Sequence, residues 1–221
     1  MQAHKLAAEF VGAFGLVFAG TGAVVIDTAS DGTIGHVGIS LTFGLIIMVM
    51  IYATGHISGA HFNPAVTLAF AVGRHFPWQL VPQYWAAQIL GGVTASLILR
   101  GLFGDVAHLG TTLPRGSARQ SFLLELVLTF LLMFVITSVA TDVRAVGQAA
   151  AIAIGGTIGL EALFAGPISG ASMNPARSLA PAIVSGTWSH QWLYVAGPAL
   201  GAVAGVLIYQ FVRGAENQAE E

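Results

Sequence analysis

Asn63-Pro64-Ala65 and Asn174-Pro175-Ala176 are the residues here whose type and spacing could do chemistry. They lie 111 positions apart, half the length of the 221-residue chain. Each sits in a matched block. Residues 55–69 read GHISGAHFNPAVTLA and residues 166–180 read GPISGASMNPARSLA, identical at ten of fifteen positions. A lone Asn-Pro-Ala says little, because Asn caps helices and Pro suits the first helical position. Two copies at corresponding places point to a duplicated unit in which a helix starts at the same point twice. Each start carries a neutral side-chain amide, a hydrogen-bond donor without charge. Arg177 directly follows the second box and is the sole basic residue between Arg144 and Arg213. A guanidinium in so apolar a stretch needs a functional or a pairing reason. Glu161 and backbone carbonyls are the pairing candidates. Together these features suggest a membrane pore or carrier built around two facing half-helices.

The composition sets the environment those residues work in. Charged residues make up 8% of the chain and hydrophobic residues 55%, with a mean hydropathy of +0.78. Soluble domains carry about 25% charged residues, so an ordinary soluble surface is excluded. The charges are also segregated: none lies between Val37 and Gly73, between His75 and Leu99, or between Ser178 and Val212. An uncharged apolar run of ~20 residues is long enough to cross a bilayer as a helix. A net charge of −2 gives no reason to expect nucleic acid. The absence of cysteine excludes disulfides and thiol chemistry. The N-terminus, MQAHKLAAEFVG, runs straight into apolar sequence without a small-residue cleavage site, so it reads as a first spanning helix.

The elements that must position the two boxes follow from this. Six spanning helices are expected, over about residues 6–26, 36–54, 82–102, 121–140, 147–165 and 191–212. Two further apolar stretches, 64–73 and 175–184, begin at the Asn-Pro steps after Gly-rich turns. At ~1.5 Å per residue each covers about half the hydrocarbon thickness. Irregular backbone at that depth must be buried in protein or line a wet cavity. The fold class is therefore an all-α membrane protein of two inverted repeats, residues 1–111 and 112–221. Each repeat has three spans and one half-helix, an odd number of spans, so the halves enter from opposite faces. Glu9 and Glu125 stand at corresponding places on the first and fourth helices. A carboxylate there is costly unless paired, and the re-entrant loops' N–H groups are the expected partners; the alternative is a position near headgroups. Small residues at four-residue spacing, Gly92 to Ser96 and Gly201 to Gly205, would let helices cross closely. With both termini inside, Lys5, Arg74, Arg144 and Arg213 face the cytoplasm against Arg100, Arg115 and Arg119 outside, a thin positive-inside margin.

The paired boxes, the HFNPAVT and NPARS contexts and the six-helix inverted repeat resemble the aquaporins, the major intrinsic protein family. The similarity runs from about Leu6 to Val212. GHISGAHFNPAVT and ISGASMNPARSL are especially similar to plant nodulin-like intrinsic proteins and their bacterial relatives. The resemblance implies six helices plus two half-helices, a pore through each subunit of a homotetramer, and no cofactor. Asn63 and Asn174 would aim their amides at the pore, orient a passing water and interrupt a proton-conducting chain, helped by both helix dipoles. Arg177 falls at the arginine of the narrow outer constriction. Phe43, 20 residues before Asn63, matches the second-helix aromatic. Ala162 and Ala171, 12 and three residues before Asn174, match the fifth-helix and loop positions. Strict water channels resemble Phe, His, small, Arg here, and this chain has Ala in place of His. Glycerol facilitators usually have Asp after the arginine, and this chain has Ser178. The implied function is passive passage of water and small neutral solutes such as glycerol, urea and boric or arsenous acid across the plasma membrane, with both termini cytoplasmic. The alternative is a strict water channel.

Other chemistries have weaker support. His56, Ser58 and His61 could suggest an intramembrane serine hydrolase, but the second block repeats neither histidine and no G-x-S-x-G is present, so no enzyme is expected. His4, His36, His75, His108 and His190 have no metal-ligand spacing. An inverted-repeat secondary transporter would share the broken helices. It needs titratable groups at its site, and Glu9, Glu125 and Glu161 are the intramembrane acids available. The acidic tail, GAENQAEE, is expected to be disordered.

Overall fold

A computed structural model describes residues 2–141 and 149–214. The acidic tail and the expected start of the fifth span at residue 147 lie outside the described residues, as does Arg144. Six segments are long and apolar enough to cross a membrane, and no strand occurs among the described residues. The first segment is composite: α1 (Gln2–Leu16), a π-helical turn (Val17–Thr21) and α2 (Gly22–Ala29). The others are α3 (Gly35–Ser58), α5 (Val81–Phe103), α6 (Ala118–Thr141), α7 (Ala150–Ser169) and α9 (Leu193–Arg213). Between them stand the half-helices α4 (Pro64–Val72) and α8 (Pro175–Ser185).

Both α3 and α7 run about a turn further than the composition suggests. The Gly-rich blocks read as turns, yet α3 continues through His56 to Ser58 and α7 passes over Pro167 to Ser169. Each stops at a left-handed glycine, Gly59 and Gly170, both at φ +87°. No Cβ is present to clash in that conformation, which is why glycine ends helices there.

The packing follows the duplication. α1 packs on α5 and α6 on α9, while α3 packs on α7 between the halves. Each half-helix lies against the last span of the opposite half, α4 on α9 and α8 on α5. Glycines permit the close crossings. A Cβ on Gly91 would overlap the Phe10 carbonyl, and one on Gly201 would overlap that of Leu126, at equivalent places in the two halves. Gly205 meets the Phe130 carbonyl in the same way, whereas Gly92 admits Ala180 of α8. At the central crossing, a Cβ on Gly44 would lie 2.5 Å from the Gly155 carbonyl oxygen.

Candidate functional site

The two re-entrant loops, residues 59–63 and 170–174, have the same backbone. Ala60 and Phe62 lie at φ +49° and +50°, and their counterparts Ala171 and Met173 at +41° and +54°. A left-handed non-glycine residue is strained by roughly 1–2 kcal/mol, so surrounding contacts must hold it. A buried glutamate does so in each half. Glu9 Oε1 accepts from the Ser58 hydroxyl (2.7 Å) and the His61 N–H (2.9 Å). Its Oε2 accepts from the Phe62 N–H (2.7 Å) and the Gln88 amide (2.8 Å). Glu125 takes the equivalent donors, the Ser169 hydroxyl (2.7 Å) and the N–H groups of Ser172 (2.9 Å) and Met173 (2.8 Å). The hydroxyls of Tyr84 and Tyr194 then donate to the carbonyls of Ser58 and Ser169.

This bracing brings the asparagines together. Asn63 Oδ1 caps α4 through the Ala65 N–H (2.9 Å), and Asn174 Oδ1 caps α8 through Ala176 N–H (2.9 Å) and Arg177 N–H (3.3 Å). Their nitrogens cross over: Asn63 donates to the Met173 carbonyl (2.8 Å) and Asn174 to that of Phe62 (2.9 Å). Pro64 and Pro175 begin the helices where no backbone donor is missed. Each amide keeps a second hydrogen, and both asparagines line one cavity of about 120 Å³. Opposite them the wall is apolar, with Ile47, Leu132, Ile136, Ile154 and Ile158.

A second cavity, of about 270 Å³, opens at the Arg177 end. The residues common to both linings are Phe43, Ala162 and Arg177, so these three form the neck; Ala171 lines the first cavity alone. The Arg177 guanidinium lies 4.8 Å from the centre of the Phe43 ring. Its Nη1 donates to the Gly110 carbonyl at 2.7 Å. Of the two pairing candidates the carbonyl is therefore the partner. Glu161 is buried on α7 with neither oxygen hydrogen-bonded.

Several supports of the neck carry no recognisable sequence signal. The π-helical turn presents Gly20 to Phe43, where a Cβ would overlap the ring, and Thr21 to Gly110. Ala107, His108 and Leu109 are left-handed at φ +49°, +47° and +56°, and Gly110 follows at +73°. That turn delivers the carbonyl that Arg177 uses. Ser178 is fully buried, bonded to Thr112 (2.6 Å) and Ser172 (2.5 Å). The hydrolase grouping does not assemble: the Ser58 hydroxyl donates to Glu9, and His61 Nδ1 meets Thr67 Oγ1 at 3.0 Å. His61 packs among Phe70, Phe76 and Tyr84 on the cavity wall. Among the described residues no group of three His, Asp or Glu could hold a metal ion.

Six spans, two half-helices meeting at their N-termini and two cavities that adjoin at Phe43, Ala162 and Arg177 define a membrane channel protein. The chain belongs to the family described as major intrinsic protein, whose model matches residues 1–209. It is 55% identical over 211 residues to "Aquaporin NIP1-1" of Oryza sativa subsp. japonica, covering 95% of this chain and 74% of that one. It is 52% identical over 220 residues to "Putative aquaporin NIP4-1" of Arabidopsis thaliana, covering 99% and 77%. Its fold is similar to the X-ray structure of the aquaglyceroporin from Plasmodium falciparum, with a TM-score of 0.84, 25% identity and coverage of 95% and 96%. The protein is a multi-pass membrane channel for water and small neutral solutes.

Proposed function

We propose that this channel passes glycerol, urea and undissociated boric or arsenous acid together with water, and holds back protons and ions. The observation that carries the reading is Ala162 in the neck beside Phe43 and Arg177. A methyl group leaves that wall open and apolar, where an imidazole would fill it and add a donor. The likeness to an aquaglyceroporin supports the same direction. In this reading Phe43, Ala162, Ala171 and Arg177 set selectivity, and Arg177 repels cations. Asn63 and Asn174 orient the central water with their free amide hydrogens. The N-termini of α4 and α8 add about half a positive charge each. Pro64, Ala65, Pro175 and Ala176 shape the helix starts, and Glu9 and Glu125 brace the loops. Residues 1–111 and 112–221 act as two inverted units of one pore. The family likeness favours a homotetramer in the plasma membrane with both termini cytoplasmic.

Stopped-flow light scattering on protein-containing liposomes tests this. Sucrose should drive fast shrinkage, and glycerol should drive fast shrinkage followed by rapid reswelling. Ala162→His should lower the glycerol-to-water permeability ratio. Glycerol entry no faster than in protein-free vesicles would leave a strict water channel, and an unchanged ratio would remove Ala162 from the filter.

A further inference from the structure

Pro167 lies inside α7, where its missing N–H leaves the carbonyl of Leu163 without its helical donor. In the first repeat the corresponding residue is His56, whose backbone N–H is intact, so this gap belongs to the second repeat alone. The structure fills the gap from another helix. His36 Nε2, in the first turn of α3, lies 2.6 Å from the Leu163 carbonyl oxygen. A carbonyl can only accept, so Nε2 carries the proton and donates. Gly166 makes room for this approach, since a Cβ there would lie 3.0 Å from His36 Cε1.

The two joined helices are those that carry the neck. Phe43 stands seven residues beyond His36 on α3, two helical turns along the same face. Leu163 is adjacent to Ala162 on α7. His36, Phe43, Ala162, Gly166, Pro167 and Arg177 all line the cavity at the Arg177 end. At Gly44, next to Phe43, α3 touches α7 backbone to backbone at Gly155, so the α3 side is fixed there and what is left to adjust is the mouth-ward part of α7 that carries Ala162. Toward the mouth the one hydrogen bond described between them is that of His36.

We propose that His36 is a positioning residue for selectivity: its imidazole stands in for the N–H that Pro167 lacks, ties the mouth end of α7 to α3, and so sets the distance between Phe43 and Ala162. This role acts through the backbone of α7 and needs no contact with the permeant. The idea rests on the reading of Ala162 as filter wall.

The test is a double-mutant cycle in liposomes, reading the ratio of glycerol to water permeability. His36→Ala removes the tie of α7 to α3 at the mouth, leaving the end of α7 held only on its other side by Glu125 and Tyr194, and should change the ratio by about threefold or more, the size of coupling expected between contacting groups. His36→Gln keeps an N–H donor of similar reach and should retain most of the wild-type ratio. Pro167→Ala restores the backbone N–H, so His36→Ala in that background should have little further effect. A general loosening of the fold would not be suppressed by Pro167→Ala. A wild-type ratio for inserted His36→Ala, or an undiminished effect in the Pro167→Ala background, overturns the proposal. Ala162→His is run alongside. If it shifts the ratio while His36→Ala does not, the tie fails and the filter reading stands. If it leaves the ratio unchanged, the filter reading fails irrespective of His36.

Discussion

Replacing Glu125 by Leu would strand the Ser169 hydroxyl and the N–H groups of Ser172 and Met173, all buried. Donors left without acceptors in an apolar interior destabilise strongly, so Glu125→Leu should lower stability by about 3 kcal/mol or more. Glu161 is equally buried but has no hydrogen-bond partner to strand. Glu161→Leu should leave the unfolding midpoint in detergent unchanged or raised, because an apolar side chain removes the desolvation cost of the carboxyl. A midpoint that falls as far for Glu161 as for Glu125 would contradict this assignment. Gly20 offers a separate test at the neck. A methyl there meets the Phe43 ring, which lies against Arg177 in the neck, and must displace it. Gly20→Ala should slow osmotic shrinkage severalfold while costing about 1–3 kcal/mol in overpacking. Unaltered water flux would mean that the ring can yield without narrowing the neck. Of these residues, Glu161 reads as a candidate partner for Arg177 and is not one, whereas Glu125 was legible in the sequence because it and Glu9 recur at matched places in apolar helices. Gly20 was not, since a glycine in an apolar run gives no hint of the ring it accommodates.

Among the elements, the turn after α4 is joined to α9 by a contact that acid should weaken. The Gln210 amide nitrogen donates to the Gly73 carbonyl (2.9 Å), which fixes its orientation, and lies 3.3 Å from His75 Nε2. An amide nitrogen cannot accept, so the imidazole accepts there as the neutral ring. Partial burial, and then the Arg213 guanidinium, hold the His75 pKa below its ordinary value. The folded state thus prefers neutral His75, while the unfolded chain takes up a proton first. Stability from this group is complete above the unfolded value of about 6.5 and is lost as pH falls below it toward the folded value. Between about pH 7.5 and about pH 5.5 the wild type should lose more thermal stability than His75→Phe. Equal losses would show that the histidine contributes nothing to acid sensitivity. The half-helices themselves were plain in the sequence, since an Asn-Pro start and an uncharged run of half a membrane's thickness constrain them tightly. The left-handed turn at 107–110 was not, because Ala107 and Leu109 are types that rarely adopt that backbone. It persists through buried contacts made by Leu109 and through the grip of Arg177 on Gly110.

For the molecule as a whole, the architecture was readable because duplication and hydropathy constrain it independently. Hydropathy required six spans and two short helices, and the repeated block placed the two short helices at corresponding points of the chain. How the halves join was not readable, since that depends on which glycine meets which carbonyl. The arrangement of α4 against α9 and α8 against α5 carries a consequence for how the channel is made. Chains enter the membrane N-terminus first. When Phe103 has emerged, the three spans of the first half are complete, yet α4 still lacks the helix that covers it, and Asn63 lacks the Met173 carbonyl. α9, which should cover it, is the last span to be synthesised. The first loop therefore waits through most of translation before it can lock, and a ribosome stalled anywhere before α9 holds a chain with no working pore.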